Sequence, residues 1–496
     1  MGLGKCWGPD TRLLMYDGRS KMVKDIQVGD ELMGDDSTPR RVQHGSIVRG
    51  RGEMFQIRTA NRSRPPWTCN ADHILVLKLN VRPWIEETPQ GESYVGLFHL
   101  IDGAGPNSKL PQESRVGPFE SIATAQSFLE QMDTYESMIY ECTVRDFLTL
   151  PENSRARQCS HLYHPHQTIF PPPLYHKSLP NVLNRAAECN ISSSPKLVLS
   201  TAWVIGVWLT AGNGKLPQCC VSKAHSHAQS VVNKLLSWCR SVYPHETTAD
   251  FEARVIKEAL FGHESTHTID CGFVLKDLLQ TYDMLGSKRV PLTLLTHSID
   301  VRCALLAGML DGSGEMARSG DCYILSSKER DAIDSYSHLA RGLGLSTSEM
   351  IECIINDAAM GEIKTGWRCE ITGTQLDTWQ MIGKSSCSDI SSTSVASDGD
   401  SFSVTSVGIG DYAGFTLDGN GRCLLGDGSF TVTHNTLQAI TLVWTLLNTS
   451  PFGKKGAIQK VLIVVRKTTT DSCNKRFQSI FPYASFFWHL LFLISS

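Results

Sequence analysis

A phosphate-binding sequence cut in two, with its halves near opposite ends of the chain, constrains this fold more than any other feature. The 496-residue chain opens Met1-Gly2-Leu3-Gly4-Lys5 before Cys6, and after Val432-Thr433-His434-Asn435 it resumes as Thr436-Leu437-Gln438-Ala439-Ile440-Thr441-Leu442. Joining Lys5 to Thr436 gives the second half of a Gly-rich P-loop running into an apolar helix. In such a loop Gly2 and Gly4 would lie against phosphate, Lys5 would reach the β/γ-phosphates and the Thr436 hydroxyl would bind Mg²⁺, so Lys and Thr must be neighbours. The motif is restored only by losing residues 6–435. Both ends of that segment must therefore meet in one site.

The residue types at the two ends suit that loss. Cys6 can attack the Lys5 carbonyl, exchanging an amide for a thioester and dividing a hard step into easier ones. Thr436 can attack the thioester through its hydroxyl. Asn435 can cyclise onto its own carbonyl and release the segment, with His434 placed for proton transfer. An O-to-N shift would leave a normal Lys5–Thr436 peptide bond.

Further blocks carry a resemblance. They are Cys6-Trp7-Gly8-Pro9-Asp10-Thr11-Arg12-Leu13-Leu14-Met15-Tyr16-Asp17-Gly18, whose Asp-Gly turn suits a β-hairpin, and Trp67-Thr68-Cys69-Asn70-Ala71-Asp72-His73-Ile74. From Cys6 to Asn435 the chain resembles an intein of the large fungal kind that carries a LAGLIDADG homing endonuclease. The resemblance implies a mainly β, Hint-type splicing domain with an inserted α/β endonuclease domain. It also implies that His73 polarises and protonates the first scissile amide. Asn70 stands where the family has Thr and is expected to donate a hydrogen bond to the oxyanion. In the closing block, Tyr412 to Asn435, Gly414 and Gly421 stand where many members carry Asp and His, which shifts the burden to His434 and Asp418.

The middle of the insert is similar to the family's two endonuclease motifs, at Val204–Gly212 and Leu305–Gly314, with Lys288-Arg289-Val290-Pro291 between them and Tyr336–Leu345 as a late helix. The resemblance implies two helices packed through small residues, each ending in an acid that binds the catalytic metals. Two-metal hydrolysis needs those carboxylates. The aligned residues are Ala211 and Ser313, with Asp311 and Glu315 out of phase. Nuclease activity is therefore expected to be lost. Mg²⁺ would serve only an active endonuclease or the host ATPase, and splicing needs no cofactor.

The expected organisation is a host flank (1–5), the first part of the splicing domain (6–190, with a helix around Ile122–Met132), the endonuclease-like domain (197–385), a Ser/Thr/Asp-rich linker (386–406), the second splicing part (407–435) and a host flank (436–496). Thr436–Val465 resembles the start of the motor in SNF2-type DNA-repair ATPases, although Arg466–Thr470 departs from that pattern. ATP is then a ligand only of the full spliced host.

Net charge is −3, so no global basic signature marks nucleic acid, and double-stranded DNA is at most a partner of the inserted domain. The 16 cysteines follow no secretory signal, which favours a reducing intracellular compartment, nuclear for the host. The Phe486–Ile494 run is too short to span a bilayer. Two metal-like patterns carry little weight. His263-Glu264-Ser265-Thr266-His267 fits a zinc-protease motif but reads as strand or loop, and Cys159, His161, His164 and His166 lie in a Pro-rich crossing. No metal site is assigned. Competing functions are a hedgehog-type autoprocessing domain, which needs neither Asn435 nor Thr436, and a DNA-binding module.

Overall fold

The computed structural model describes residues 6–434 apart from 45, 106–107, 133–137, 174–176, 187–193, 225–226, 257–265, 318–321, 358–361, 374–375 and 377–398. Gly2, Gly4, Lys5, Asn435 and Thr436 thus lie outside the described residues. The opening hairpin forms as expected. β1 (Arg12–Leu14) and β2 (Ser20–Met22) pair antiparallel around Asp17-Gly18, where Gly18 has φ +85°, a conformation free of steric cost only in glycine.

Three strands then build the frame of the junction site. β3 (Val48–Thr59) pairs antiparallel with β4 (Trp67–Asn70), Met54 opposite Asn70 and Phe55 opposite Cys69. β5 (Ile74–Leu79) is buried along its whole length, which its near-continuous apolar sequence allows. Helix α1 (Ile122–Gln131) occupies the segment read as helical, with the Ser121 side chain accepting from Thr124 N–H at 3.2 Å as an N-cap. β6 (Met138–Thr143) and β7 (Ser160–Tyr163) both pair with β5.

The inserted unit is α/β. Helix α2 (Leu179–Ala186) buries Leu179, Val182 and Leu183 in the same core as helix α3 (Pro195–Ala211). Residues 179–186, expected within the first splicing part, thus find their apolar partners in the inserted unit. Helix α4 (Ile299–Ser313) crosses α3 at glycines: a Cβ on Gly206 would run into the Leu305 carbonyl oxygen, and one on Gly308 into that of Trp203. Each helix is followed by antiparallel strands, Gln218–Ser222 with Thr266–Asp270 and Tyr323–Ser327 with Glu362–Thr372. Helix α5 (Arg330–Gly342) packs against the second of these sheets.

The chain returns to the splicing part sooner than its composition suggested. β8 (Gly399–Asp400) pairs with β7, and β9 (Phe402–Gly414) pairs with β3 from Phe402 opposite Thr59 to Gly414 opposite Val48. Part of the tract read as linker is thus strand, because Phe402 and Val404 pack against the splicing core between their Ser and Thr neighbours. Residues 386–398 lie outside the described residues. The last strands are β10 (Arg422–Leu424) and β11 (Val432–His434), with β11 between β10 and β5. The architecture is mainly β with an α/β insert. No helix among the described residues is long and apolar enough to cross a membrane.

Candidate active site

Both ends of the described chain enter one buried region. Cys6 is bracketed by Asn70 at the end of β4: its backbone N–H donates to Asn70 Oδ1 at 3.1 Å, and its carbonyl accepts from Asn70 N–H at 3.0 Å. Trp7 exchanges two backbone hydrogen bonds with Ala413 on β9, at 3.0 and 2.9 Å. Asn70 thus holds Cys6 through its side-chain oxygen and its backbone N–H. Its side-chain oxygen holds the N–H of residue 6, the nitrogen of the Lys5–Cys6 bond.

A tight turn after β4 carries His73 back beside Asn70, closed by His73 N–H donating to Asn70 O at 3.1 Å. His73 is fully buried between two indoles, with ring centroids 5.1 Å from Trp7 and 5.7 Å from Trp67. Its Nε2 lies 2.8 Å from Thr433 Oγ1, which also accepts from Trp7 Nε1–H at 3.2 Å. Thr433 thus joins the amino-terminal residues to the carboxy-terminal strand. Its sequence context, Val-Thr-His at the end of a strand, gave no sign of this.

His434 is set by register. It pairs with Ile74 on β5 and Arg422 on β10, and its Nε2 lies 2.9 Å from the backbone carbonyl of Asn420. A carbonyl only accepts, so Nε2 carries the proton and the basic lone pair of the neutral ring is on Nδ1. Asn420 is itself held. Its Oδ1 accepts from Arg40 Nε at 3.1 Å and Arg422 N–H at 3.0 Å, and its Nδ2 donates to Asp35 at 2.9 Å. This support was not anticipated either.

Asp418 is exposed, and its carboxylate accepts from the backbone N–H of Arg41 at 2.8 Å. The acid close enough to act on Cys6 is Asp72. Burial first, and then the charge of Asp72, push the Cys6 thiol up to about 12. At neutral pH the nucleophile is a thiol, and a base must remove its proton before or during attack.

The second candidate site lies where α3 and α4 end. Ala211 and Ser313 stand there as expected, with no carboxylate of their own. Asp311 is buried within the helix pair, accepting from Trp203 Nε1–H at 2.8 Å, and Glu315 is exposed on a following strand. Lys288 occupies the end of α3. Its Nζ donates to the carbonyls of Trp208 and Gly212, the latter at 3.0 Å, and sits 3.8 Å over the Trp208 ring. Burial pulls this ammonium down to about 7. A dication needs anionic oxygens at the two helix ends, where Ala211 has a methyl group, Ser313 a neutral hydroxyl and Lys288 an amine, so these positions do not fit Mg²⁺.

The metal-like patterns resolve differently. His267 is on a strand, not on the helix that a zinc-protease motif requires, while His263 to Ser265 lie outside the described residues. His161 Nδ1 is 3.0 Å from the Cys159 carbonyl, and His164 is 3.6 Å from Asp400. Among the described residues no group of three or more His, Cys, Asp or Glu is arranged to hold a metal ion.

The comparisons with known proteins agree with this geometry. The family described as Hom_end-associated Hint matches residues 6–434, from the candidate nucleophile to the last described histidine. The V-type proton ATPase catalytic subunit from Candida tropicalis is 22% identical over 392 residues, an alignment that covers 68% of this chain and 34% of that protein. The chain thus spans about a third of that relative's length. With a family match across most of its length, from Cys6 to His434, the chain belongs to the homing-endonuclease-associated Hint family, whose kind of function is intein protein splicing.

Proposed function

We propose that this chain excises residues 6–435 and ligates Lys5 to Thr436, restoring a P-loop of an SNF2-type DNA-repair ATPase. The observation that carries the reading is Thr433, whose hydroxyl meets both His73 and Trp7. It places the last strand of the insert against the first residues and the candidate acid.

The steps follow from these positions. Cys6 Sγ attacks the Lys5 carbonyl carbon and gives up its proton. The bond to Cys6 N breaks, the nitrogen takes a proton from His73, which regains the one the thiol released, and Asn70 Oδ1 holds the N–H already present. The product is a thioester between Lys5 and Cys6. The Thr436 hydroxyl displaces that thiolate, moving residues 1–5 onto its oxygen. Asn435 Nδ2 then attacks its own carbonyl carbon, losing a proton to His434 Nδ1, which passes one to the Thr436 nitrogen as the bond to Thr436 breaks. An amine and a succinimide result, and the free amine captures the ester to form the Lys5–Thr436 amide.

The inserted domain fits a LAGLIDADG-type endonuclease that has lost cleavage. Ala211 and Ser313 replace its two acids, and the Lys288 ammonium occupies carbonyls at the same helix end.

The test is a precursor of residues 1–445 between folded tags, followed by intact mass under reducing conditions. The expected products are joined tags and a free insert ending in succinimide, both lost in Cys6→Ala with Asn435→Ala. A wild-type precursor that stays whole would overturn the reading. DNA carrying the uninterrupted P-loop coding site should remain uncut with Mg²⁺, and specific nicking would show that an acid has been misassigned.

A further inference from the structure

The hairpin of β10 and β11 ends on His434, and its tip lies between a small cluster of splicing-part side chains (Leu14, Met33 and Val76) and helix α5 of the inserted domain. The loop is closed by Leu425 N–H donating to Thr431 O at 2.9 Å. Beyond that closure, Asp427 meets Arg64 and Phe430 meets α5. Arg64 Nη1 donates to the Asp427 carbonyl at 3.2 Å and to Asp334 of α5 at 3.1 Å, and Arg64 Nη2 donates to Ser337 of α5 at 2.5 Å. Phe430 is buried, with its ring centroid 4.8 Å from that of His338. A Cβ on Gly342 would stand 3.2 Å from the Phe430 ring.

Phe430 also adopts φ +58°, in the left-handed region that disfavours a bulky side chain. Such a conformation persists only where its surroundings over-determine it. Here the surroundings are the α5 face (His338 and Gly342) and a small apolar cluster that includes Leu424 and Val432. Four residues after Phe430 the strand delivers His434, and three residues after it Thr433.

We infer that helix α5 of the inserted domain is a positioning element for the carboxy-terminal step of splicing: by gripping Phe430 directly and the Asp427 carbonyl through Arg64, it fixes the register in which β11 presents His434. His338, Gly342 and Arg64 are the positioning residues, and none touches the reacting atoms. The insert is therefore part of the splicing machine rather than a passenger, and cannot be removed at no cost to the reaction. This rests on the splicing reading above.

Misplacing a reacting group by about 1 Å can cost on the order of a hundredfold in rate, so a loosened hairpin should be readable kinetically. The experiment compares His338→Ala and His338→Phe in two full-length tagged precursors. One carries Cys6→Ala and reports Asn435 cleavage alone; the other carries Asn435→Ala and reports thiol-induced cleavage at Cys6 alone. Expected is a loss of about tenfold or more in Asn435 cleavage for His338→Ala, recovery in His338→Phe, and a change of less than about threefold in cleavage at Cys6. Retained cleavage at Cys6 shows that the variant is folded. Equal losses at both junctions, no loss at either, or no recovery with Phe would overturn the inference. An otherwise wild-type precursor that cleaves at neither junction would instead overturn the splicing reading, and this inference with it.

Discussion

Thr433 Oγ1 lies 2.8 Å from His73 Nε2 and 3.2 Å from Trp7 Nε1, so one hydroxyl three residues before Thr436 orients the imidazole expected to act sixty-seven residues from Cys6. Thr433→Val keeps the shape and removes both hydrogen bonds. It leaves a buried indole N–H and a buried imidazole nitrogen without that partner, at about 1–3 kcal/mol each. Thiol-induced cleavage at Cys6 should fall by about 10–100-fold in Thr433→Val and stay within about threefold in Thr433→Ser. Equal rates in all three proteins would remove Thr433 from the site.

The state of Cys6 gives a pH dependence with a definite sign. Its thiol is raised from 9.0 to about 12 by burial and by Asp72. Below that value the thiolate fraction grows about tenfold per pH unit, so thioester formation should accelerate from pH 6 to pH 9 with no plateau at the ordinary thiol value. Asp72→Asn removes the second cause and should raise the rate at pH 7 a few-fold. Stability moves the other way. The folded state favours the neutral thiol, so this contribution is complete below pH 9 and is lost as pH rises toward 12. Quenched-flow trapping of the thioester reads the rate, and a profile that levels off near pH 9 would contradict the assignment.

Asn420 predicts a tautomer. With Nε2–H of His434 given to the Asn420 carbonyl, ¹⁵N chemical shifts of the neutral ring should report a protonated Nε2 and a bare Nδ1. Asn420→Ala cuts the carbonyl's anchors to Arg40 and Asp35. Cleavage at Asn435 should slow by about tenfold, with cleavage at Cys6 preserved. A proton found on Nδ1 instead would assign His434 a different partner.

The helix crossing of the insert predicts a stability change away from the chemistry. At Gly206 and Gly308 an added methyl group would meet backbone carbonyl oxygens, which cannot rotate away. Gly206→Ala and Gly308→Ala should each cost about 3 kcal/mol, seen as a lowered denaturant midpoint. An unchanged midpoint would mean that the helices separate easily.

Lys288 caps α3 from inside. Lys288→Met keeps the stem over Trp208 and leaves the Gly212 and Trp208 carbonyls short of a donor, so stability should fall by about 1–3 kcal/mol at pH 7. Ala211→Asp with Ser313→Asp alone should not bring Mg²⁺-dependent cleavage, because the ammonium remains at the helix end. Cleavage by that double variant, scored on plasmid carrying the joined P-loop site, would show that a dication can displace it.

The sequence by itself determined the class of the fold. It also singled out Cys6, His73 and His434 as residue types that the proposed reaction requires, and the blocks around them could be read because each such role tolerates few substitutes. The opening hairpin and α1 were also legible, since a turn glycine, an Asp-Gly pair and helix-forming runs act over a few residues. Tertiary structure decided what acts across the chain. Asn70 became the holder of the Cys6 N–H, Asp418 was drawn to Arg41, and Thr433, Asn420 and Lys288 acquired partners tens to hundreds of residues away. A side chain's hydrogen-bonding role depends on which group its strand register sets opposite it. That register is fixed by burial over the whole sheet, a property no local pattern of residues carries.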